Sequence, residues 1–295
     1  MNVKNILVTG ADGQLGKALQ VTPPTGYRVI AANRKTLDIS NKEAVFEFFR
    51  KYDLAGVINA AAYTAVDKAE AEPAIAKNIN TSAVKNIAFA ACEHNLPVIH
   101  ISTDFVFDGK KGSPYLPLDK RMPTSVYGKS KAEGEDVLLS TDNLQSTIIR
   151  TAWVYNTEDT NFVTTMLRLM QERESLGVVA DQIGTPTHIT GLANAAWFFL
   201  KNRVTGIFHW TDAGVASWYD FAVAIQSIGL ETGILTKRIP VSPIRTSDYP
   251  TPAVRPNFSV LDKTSCWDKM NVSPEHWQSV LTSTLGTLSE KILRT

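Results

Sequence analysis

The first half of the chain alternates short apolar runs, rich in Val and Ile, with longer stretches in which apolar residues recur at helical spacing. The short runs predict buried strands and the longer stretches predict helices, an order typical of an α/β fold with a parallel sheet. Ser40, followed three residues later by Glu43, predicts a capping box at one helix start. Strands are expected at residues 5–9, 28–32, 56–60, 98–102 and 147–151, and helices from residue 16 and over 74–95.

After residue 151 the hydrophobic pattern becomes less regular. Short apolar runs at 178–180 and 206–210, with a helical stretch at 192–200, are still expected to belong to the sheet layer. The proline-rich stretch 240–256 is expected to cross the surface. We therefore expect a smaller C-terminal lobe that is built from discontinuous segments.

The first predicted strand ends in a glycine loop, TGADGQLG, in which Gly10, Gly13 and Gly16 follow the spacing G-x-x-G-x-x-G. Gly10 allows a tight turn, Gly13 lets backbone amides approach a pyrophosphate, and Gly16 lets the next helix pack closely. The helix N-terminus then offers amide donors and a positive dipole to the phosphates. An ordinary strand–helix turn can carry the same glycines, but the position after the first strand favours a dinucleotide site in a Rossmann-like, doubly wound sheet.

The end of the second predicted strand bears on the choice of nicotinamide cofactor. An NAD site usually has a carboxylate there, which binds the ribose hydroxyls. This chain reads Ala32-Asn33-Arg34-Lys35 instead, and Arg34 can pair with a 2′-phosphate. The sequence therefore favours NADPH, with NADH as the alternative, unless Arg34 and Lys35 are simply solvated turn residues. Asp38 follows and is expected near the adenine.

Tyr127 and Lys131 form a Y-x-x-x-K pair, which places both on one face of a helix. A free tyrosine, with a pKa of about 10, is a poor acid at neutral pH. A lysine ammonium beside it favours the phenolate, so we expect Lys131 to lower the Tyr127 pKa. The spacing is common by chance, and its weight comes from its position after the glycine loop on the same strand–helix frame.

A hydroxyl group is expected beside this pair, at the end of the strand predicted over 98–102. Ligands of parallel sheets bind at the carboxyl edge, where that strand ends. A hydroxyl there can donate to a carbonyl oxygen and stabilise developing alkoxide charge. Thr103 is the first choice and Ser102 the second, although either can instead cap the turn.

Composition excludes several classes of partner. A net charge of +1 over 295 residues gives no basic surface for nucleic acid or an anionic membrane. Two cysteines, Cys92 and Cys266, make no disulfide framework, which favours a reducing compartment. The N-terminal stretch lacks the pattern of a signal peptide, and no apolar stretch is long enough to span a bilayer. We expect a soluble, cytoplasmic protein.

Two segments are more specific than these shared motifs: NAAAYTAVDKAE at 59–70 and STDFVFDG at 102–109. With them, the chain resembles the extended short-chain dehydrogenase/reductases and, among these, the dTDP-4-dehydrorhamnose reductases. The resemblance runs through most of the chain. The other matching segments are the glycine loop, YGKSKAEGE, RTAWVY and RPNFSVLDK.

The resemblance implies that the chain reduces the C4 ketone of dTDP-4-dehydro-L-rhamnose with NADPH, the last step of dTDP-L-rhamnose synthesis. Tyr127 would donate the proton, Lys131 would also bind the nicotinamide ribose, and Thr103 would orient the ketone. Residues 1–150, with 191–235 returning to them, would form the NADP-binding Rossmann domain. Residues 151–190 and 236–295 would form the substrate-binding lobe.

The same matching implies two sets of contacts. Trp153 would lie near the sugar or nucleotide, with core packing as its alternative role, and Arg255 would hold the diphosphate unless it forms a surface salt bridge. The expected cofactor contacts are Gly10, Asp12, Gly13, Gln14, Leu15, Arg34, Asp38, Ile39, Ala61, Ala62, Tyr63, Tyr127 and Lys131. The expected substrate contacts are Thr103, Asp104, Phe105, Trp153 and Arg255.

Some members of this family hold Mg²⁺ through glutamates at a dimer interface. The matching positions are Ala18 and Thr190 here, and neither supplies the carboxylate that a hard cation prefers. We therefore expect no metal site, doubt a role for Mg²⁺, and leave open a monomer or a homodimer.

Two other functions stay open, because a fold does not determine a function. The first is a different nucleotide-sugar enzyme of the same fold: another ketoreductase, an epimerase or a dehydratase. The second is a non-catalytic regulatory subunit that binds NADP.

Overall fold

The fold is described by a computed structural model that covers residues 3–294. A six-stranded parallel sheet forms its centre, with helices on both faces. The α/β, Rossmann-like class expected from the sequence is confirmed. The strands are β1 Lys4–Thr9, β2 Tyr27–Ala32, β3 Leu54–Asn59, β4 Val98–Thr103, β5 Ser146–Thr151, β6 Val154–Tyr155, β7 Leu176–Val179, β8 Ile183–Gly184, β9 Thr187–His188, β10 Gly206–His209, β11 Ala216–Ser217 and β12 Val241–Ile244.

The central sheet has the strand order β10-β5-β4-β3-β1-β2, so the chain reverses its direction of travel across the sheet after β2. The first and third strands therefore meet at a crevice, where α/β folds bind their ligands. The helices are α1 Gln14–Val21, α2 Lys42–Lys51, α3 Val66–Ala71, α4 Pro73–Lys77, α5 Ala83–Glu93, α6 Val126–Ser140, α7 Phe162–Glu172, α8 Ile189–Asn202, α9 Trp218–Glu231, α10 Thr264–Met270 and α11 Trp277–Leu293.

Strand β1 shows why the sequence folds into three layers. Its apolar side chains are almost completely buried on both faces of the sheet, as parallel strands require. Ile6 and Val8 pack with apolar residues of α1 and α8, whereas Leu7 points to the opposite face and packs with α2 and α5. A continuous apolar run thus specifies a strand that is covered by helices on both sides.

Two helix boundaries differ from the sequence prediction. The capping box at Ser40 is wrong: the side chain of Asn41 caps α2 by accepting a hydrogen bond from Ala44 N at 3.0 Å. Ser40 instead donates its hydroxyl to Asp38 in the preceding turn. The long helix expected over 74–95 is interrupted, because a π-helical turn at Asn78–Ser82 separates α4 from α5.

The second half of the chain contributes to two structures. Strand β10 extends the central sheet beside β5, and α8 packs on it. The run expected at 178–180 is not part of this sheet: β7 pairs with β12 in a separate two-stranded sheet. Helices α7, α9 and α11 enclose a second apolar core, which forms a smaller lobe.

The proposed domain division stays a prediction. Segment 191–235, which it assigns to one domain, packs against two different hydrophobic cores. The apolar residues of α8 join the sheet domain, whereas those of α9, among them Phe221 and Ile225, belong to the second core. Both cysteines are free. Among the residues described, no helix combines the length and the hydrophobicity needed to cross a bilayer.

A buried ion pair joins α6 to the central sheet. Glu135 on α6 and Arg150 on β5 are each at most 1% exposed, and two hydrogen bonds of 2.8 and 2.7 Å connect them. Ser102 on β4 donates to the same carboxylate, and Arg121 approaches its second oxygen. The guanidinium of Arg150 also lies over the Phe107 ring and donates to the carbonyl of Pro117, so its charge is well compensated.

Replacing Arg150 with Leu should lower the free energy of unfolding by about 3 kcal/mol, because the Glu135 charge is then buried without its main partner. Urea denaturation measures this change. The matched control is Arg168→Leu, which removes an exposed i,i+4 partner of Glu172 and should cost no more than about 0.5 kcal/mol. Equal losses in the two variants would contradict the role given to the buried pair.

Candidate active site

Two glycines of the glycine loop, Gly10 and Gly16, are packed too closely to carry a side chain. Gly10 has φ +67°, and a Cβ atom there would lie 2.7 Å from the backbone nitrogen of Ala61. A Cβ atom on Gly16 would overlap the carbonyl of Gly10, and Gly13 forms the N-cap of α1. The three glycines thus bring the loop, β3 and the start of α1 into contact. The amides of α1 are left facing the crevice, an arrangement suited to a pyrophosphate.

A cleft of about 1000 Å³ opens at this loop, along the carboxyl ends of β1, β2 and β3. Its size and its position at the crevice fit an extended dinucleotide. Three predicted cofactor contacts are not in the lining: Asp12, which is exposed, and Tyr127 and Lys131, which are buried. Among the predicted cofactor contacts, the structure places ten in the lining: Gly10, Gly13, Gln14, Leu15, Arg34, Asp38, Ile39, Ala61, Ala62 and Tyr63.

Arg34 and Asp38 lie in the turn after β2, where the sequence placed the discrimination between cofactors. Asp38 accepts hydrogen bonds from the backbone and the hydroxyl of Ser40, which lower its pKa, and the charge of Arg34 acts in the same direction. The Asp38 carboxylate therefore holds the turn. Arg34 lines the cleft beside it and is available to an anionic group.

Tyr127 and Lys131 lie on the first turns of α6, as the spacing predicted. Ser125 caps this helix by accepting from Gly128 N at 3.1 Å. A Cβ atom on Gly128 would overlap the carbonyl of Phe105, so the helix start is pressed against the loop that follows β4. Tyr127 is 9% exposed and Lys131 1% exposed.

The expected effect of Lys131 on Tyr127 is not present in this structure. Burial raises the pKa of Tyr127 to about 12, the Asp104 charge adds to the rise, and a hydrogen bond with Thr103 opposes it. The Lys131 amine is directed elsewhere, since it donates to the carbonyl of Ile101 at 2.6 Å and lies 3.3 Å from the His100 ring. Burial also lowers the pKa of Lys131 itself to about 8.

Thr103 ends β4 beside the tyrosine. Its hydroxyl donates to Asp104 Oδ1 at 3.0 Å, accepts from Phe105 N, and hydrogen-bonds the Tyr127 side chain. Ser102, the second choice, points instead to Glu135 and belongs to the buried ion pair. Phe105 packs edge-on against the Tyr127 ring, with the two ring centroids 5.6 Å apart. The structure therefore brings Thr103, Tyr127 and Lys131 together at one edge of the sheet.

Known proteins resemble this chain over almost its whole length. The model of the RmlD substrate-binding domain family matches residues 4–290. The chain belongs to this family. A dTDP-4-dehydrorhamnose reductase of Aggregatibacter actinomycetemcomitans is 43% identical over 284 residues, which are 94% of this chain and 96% of the relative.

Two solved structures show how closely the RmlD-family chain keeps the fold of its relatives. A dTDP-4-dehydrorhamnose reductase of Clostridium acetobutylicum superposes with a TM-score of 0.89 at 39% identity, over 96% of this chain and 99% of that one. The enzyme of that name from Bacillus anthracis, solved in complex with NADP, gives 0.90 at 33% identity, with the same coverage. The expected family is thereby confirmed.

Two predicted substrate contacts of this RmlD-family chain have other partners as well. Trp153, just after β5, has φ +48°, a strained conformation for a bulky residue. Its ring stacks on that of Trp218, with the two ring centroids 3.5 Å apart, and a Cβ atom on Gly184 would collide with the Trp153 ring. Arg255 forms a bidentate ion pair with Asp67, at 2.9 and 2.7 Å. Neither arrangement tests substrate binding, so both roles stay predictions.

Asn80, in the π-helical turn, is a site residue that the sequence reasoning missed. Its side chain accepts from Tyr63 N at 2.8 Å and donates to the Tyr63 carbonyl and to Ser130 on α6. It thus connects the wall of the cleft to the helix that carries Tyr127. The π-helical turn was the available signal, because such turns often occur at functional sites, but it cannot be read from sequence periodicity.

Ala18 and Thr190, the positions considered for metal-binding glutamates, line a second cleft of about 390 Å³ between α1, α8 and α11. Lys17 and Lys291 lie on the same walls. Within residues 3–294, no three or more His, Cys, Asp or Glu side chains are grouped to hold a metal ion. The doubt about Mg²⁺ stays a prediction.

Burial of the Asp104 carboxyl is expected to make the stability of the fold depend on pH. Burial raises its pKa to about 6, above the usual value of about 3.9, so its charged form destabilises the fold. An Asp104→Asn variant should therefore gain stability relative to the parent as pH rises from about 4 to 6, by about 2 to 3 kcal/mol, and keep this gain above that range. Urea unfolding across the range measures it, and a difference that does not change with pH would contradict the account.

Proposed function

We propose that this chain uses NADPH to reduce the C4 ketone of dTDP-4-dehydro-L-rhamnose to dTDP-L-rhamnose. The observation that carries the proposal is the meeting of Thr103 and Tyr127 at the end of β4, the strand next to β3, in a chain with relatives named dTDP-4-dehydrorhamnose reductase that match over almost their whole length. The proposal includes a cytoplasmic location and a monomeric or homodimeric state.

Three features fit a dinucleotide: the closely packed glycine loop, the start of α1, and the cleft beside them. Gln14 and Leu15 would lie on the pyrophosphate, and Asp38 and Ile39 near the adenine. Bound there, a reduced nicotinamide supplies the hydride. Arg34 supports NADPH in particular, because a guanidinium pairs well with a 2′-phosphate and the Asp38 carboxylate in the same turn accepts its hydrogen bonds from Ser40.

The residues around Tyr127 then handle the substrate oxygen. With its pKa raised to about 12, the phenol keeps its proton at neutral pH and can donate it to the oxygen that gains negative charge. The hydroxyl of Thr103 can donate to the same oxygen and orient the ketone. Lys131 would hold the ribose and, when charged, ease the loss of the Tyr127 proton.

The test is an absorbance assay with dTDP-4-dehydro-L-rhamnose and either NADPH or NADH. We expect steady, stoichiometric oxidation of NADPH, and a loss of kcat by orders of magnitude in Tyr127→Phe with cofactor binding retained. Epimerases and dehydratases recycle a bound cofactor, so substrate conversion without net oxidation would replace the proposal with one of them. Cofactor binding without any conversion would favour a regulatory subunit.

Arg34→Ala should raise the KM for NADPH at least about tenfold and leave the KM for NADH nearly unchanged, because only NADPH carries the 2′-phosphate. Kinetics with both cofactors measure the two values. Lys35→Ala is the matched control: it removes the adjacent cation, which lies outside the cleft lining, and should change neither KM. Equal effects of Arg34→Ala on both cofactors would refute the assignment.

A further inference from the structure

A row of buried polar side chains crosses three adjacent strands and ends at Lys131. Thr9 ends β1, Asn59 ends β3 and His100 lies in β4, and none of the three is more than 1% exposed. The Thr9 hydroxyl lies 2.6 Å from Asn59 Oδ1, and Asn59 Nδ2 lies 3.0 Å from His100 Nδ1. His100 Nε2 lies 3.3 Å from the Lys131 amine. Thr9 directly precedes the glycine loop, so the row connects that loop to the lysine.

The charge of Lys131 determines the direction of hydrogen bonding in this row. A lysine ammonium has donors only, so His100 Nε2 must accept from it, His100 Nδ1 must carry the proton, and the Asn59 oxygen must face the ring. A neutral amine has a lone pair, so Nε2–H can donate to it. Thr9 then donates to Asn59 and Asn59 donates to His100. A half-turn of the Asn59 amide exchanges its oxygen and nitrogen and gives the arrangement that the ammonium requires, so the row can accommodate either form of the amine.

The surroundings of His100 keep its ring neutral beside the Lys131 amine. The ring is completely buried, and burial together with the Lys131 charge holds its pKa well below the usual value. It is therefore a neutral imidazole at physiological pH, with one donor and one acceptor nitrogen. Such a ring can hydrogen-bond either form of the amine without adding a competing positive charge.

We propose that Thr9, Asn59 and His100 are positioning residues, which hold the Lys131 amine at the carboxyl edge of the sheet and adjust its affinity for a proton. This proposal rests on the proposed function, since it concerns the lysine of that site. The row acts through Lys131 and needs no contact with the substrate. With His100 Nε2 as an acceptor, the row stabilises the ammonium, the form of Lys131 that eases the loss of the Tyr127 proton.

Other charged groups also bear on the lysine and are kept constant in the test. Glu135, on the same helix, raises the Lys131 pKa, but its own charge is largely compensated by Arg150 and Arg121. Titratable groups near the first turns of α6 also include Tyr127 and Lys129 on the helix itself, Asp104 after β4 and Glu70 of α3. None of them hydrogen-bonds His100 among the contacts of residues 3–294.

The experiment measures the Lys131 pKa directly, by NMR titration of lysines labelled with ¹³C and ¹⁵N in the cofactor-free protein. The Lys131 signal is assigned by its absence in Lys131→Met. We expect the Lys131 titration to have its midpoint at about 8 in the parent. In His100→Phe, which removes the acceptor for the ammonium, the midpoint should be lower by at least about one pH unit. Asn59→Leu should lower it less, and His100→Gln, whose amide oxygen can accept, should stay within about half a unit of the parent.

The matched control is His209→Gln. His209 is equally buried, but its ring contacts Arg150 and the carbonyl of Asp262, so its loss should leave the Lys131 midpoint unchanged. An unchanged or raised midpoint in His100→Phe would overturn the proposal, because His100 would then be a core residue only. If that variant does not fold, Asn59→Leu decides the question: a lowered midpoint supports the proposal, and an unchanged or raised one overturns it.

The titration needs no substrate and no turnover, so its outcome is independent of the reductase assay. If turnover is found, the limb of the pH profile of kcat that follows Lys131 should move in each variant by as much as its Lys131 midpoint moves, with the substrate KM unchanged. A fall in kcat without movement of this limb would show that the row supports only the fold.

Discussion

The active edge of the sheet depends on the buried pair between Glu135 and Arg150. The pair connects α6 to β5, and Ser102 connects the same carboxylate to β4. Since Thr103 follows Ser102 and Tyr127 lies two turns before Glu135, these hydrogen bonds fix the position of Tyr127 relative to Thr103. Removing two charges from water is costly, so the gain from such a pair lies more in a defined geometry than in net stability.

The sequence predicted the layers of the fold well, because burial on both faces of a parallel strand leaves a continuous apolar run. It failed where two local solutions compete. Ser40 and Asn41 are both good caps, and the choice of Asn41 follows from the contact of Ser40 with Asp38. Strand β7 has the apolar character of a core strand, but its pairing with β12 depends on the path of the chain more than sixty residues later.

For the site, the sequence indicated motifs of consecutive residues but did not indicate contacts between residues that are distant along the chain. The glycine loop and the Tyr127/Lys131 pair are each contained in a few consecutive residues. The contacts of Asn80 with Tyr63, and of His100 with Asn59, join segments that are 17 and 41 residues apart. The Tyr127 pKa was mistaken in direction because a lysine four residues away implies proximity, whereas the fold directs this amine to a carbonyl of β4.

The π-helical turn at Asn78–Ser82 makes the length of this segment critical. Such a turn holds one residue more than an α-helical turn does, and deleting it would rotate the preceding residues by about 100° about the helix axis. Asn78 and Ile79, which line the cleft, would then face another direction, and α4 would lose its register against α6. Insertions and deletions should thus be tolerated in the surface turns of this chain, but not within these five residues.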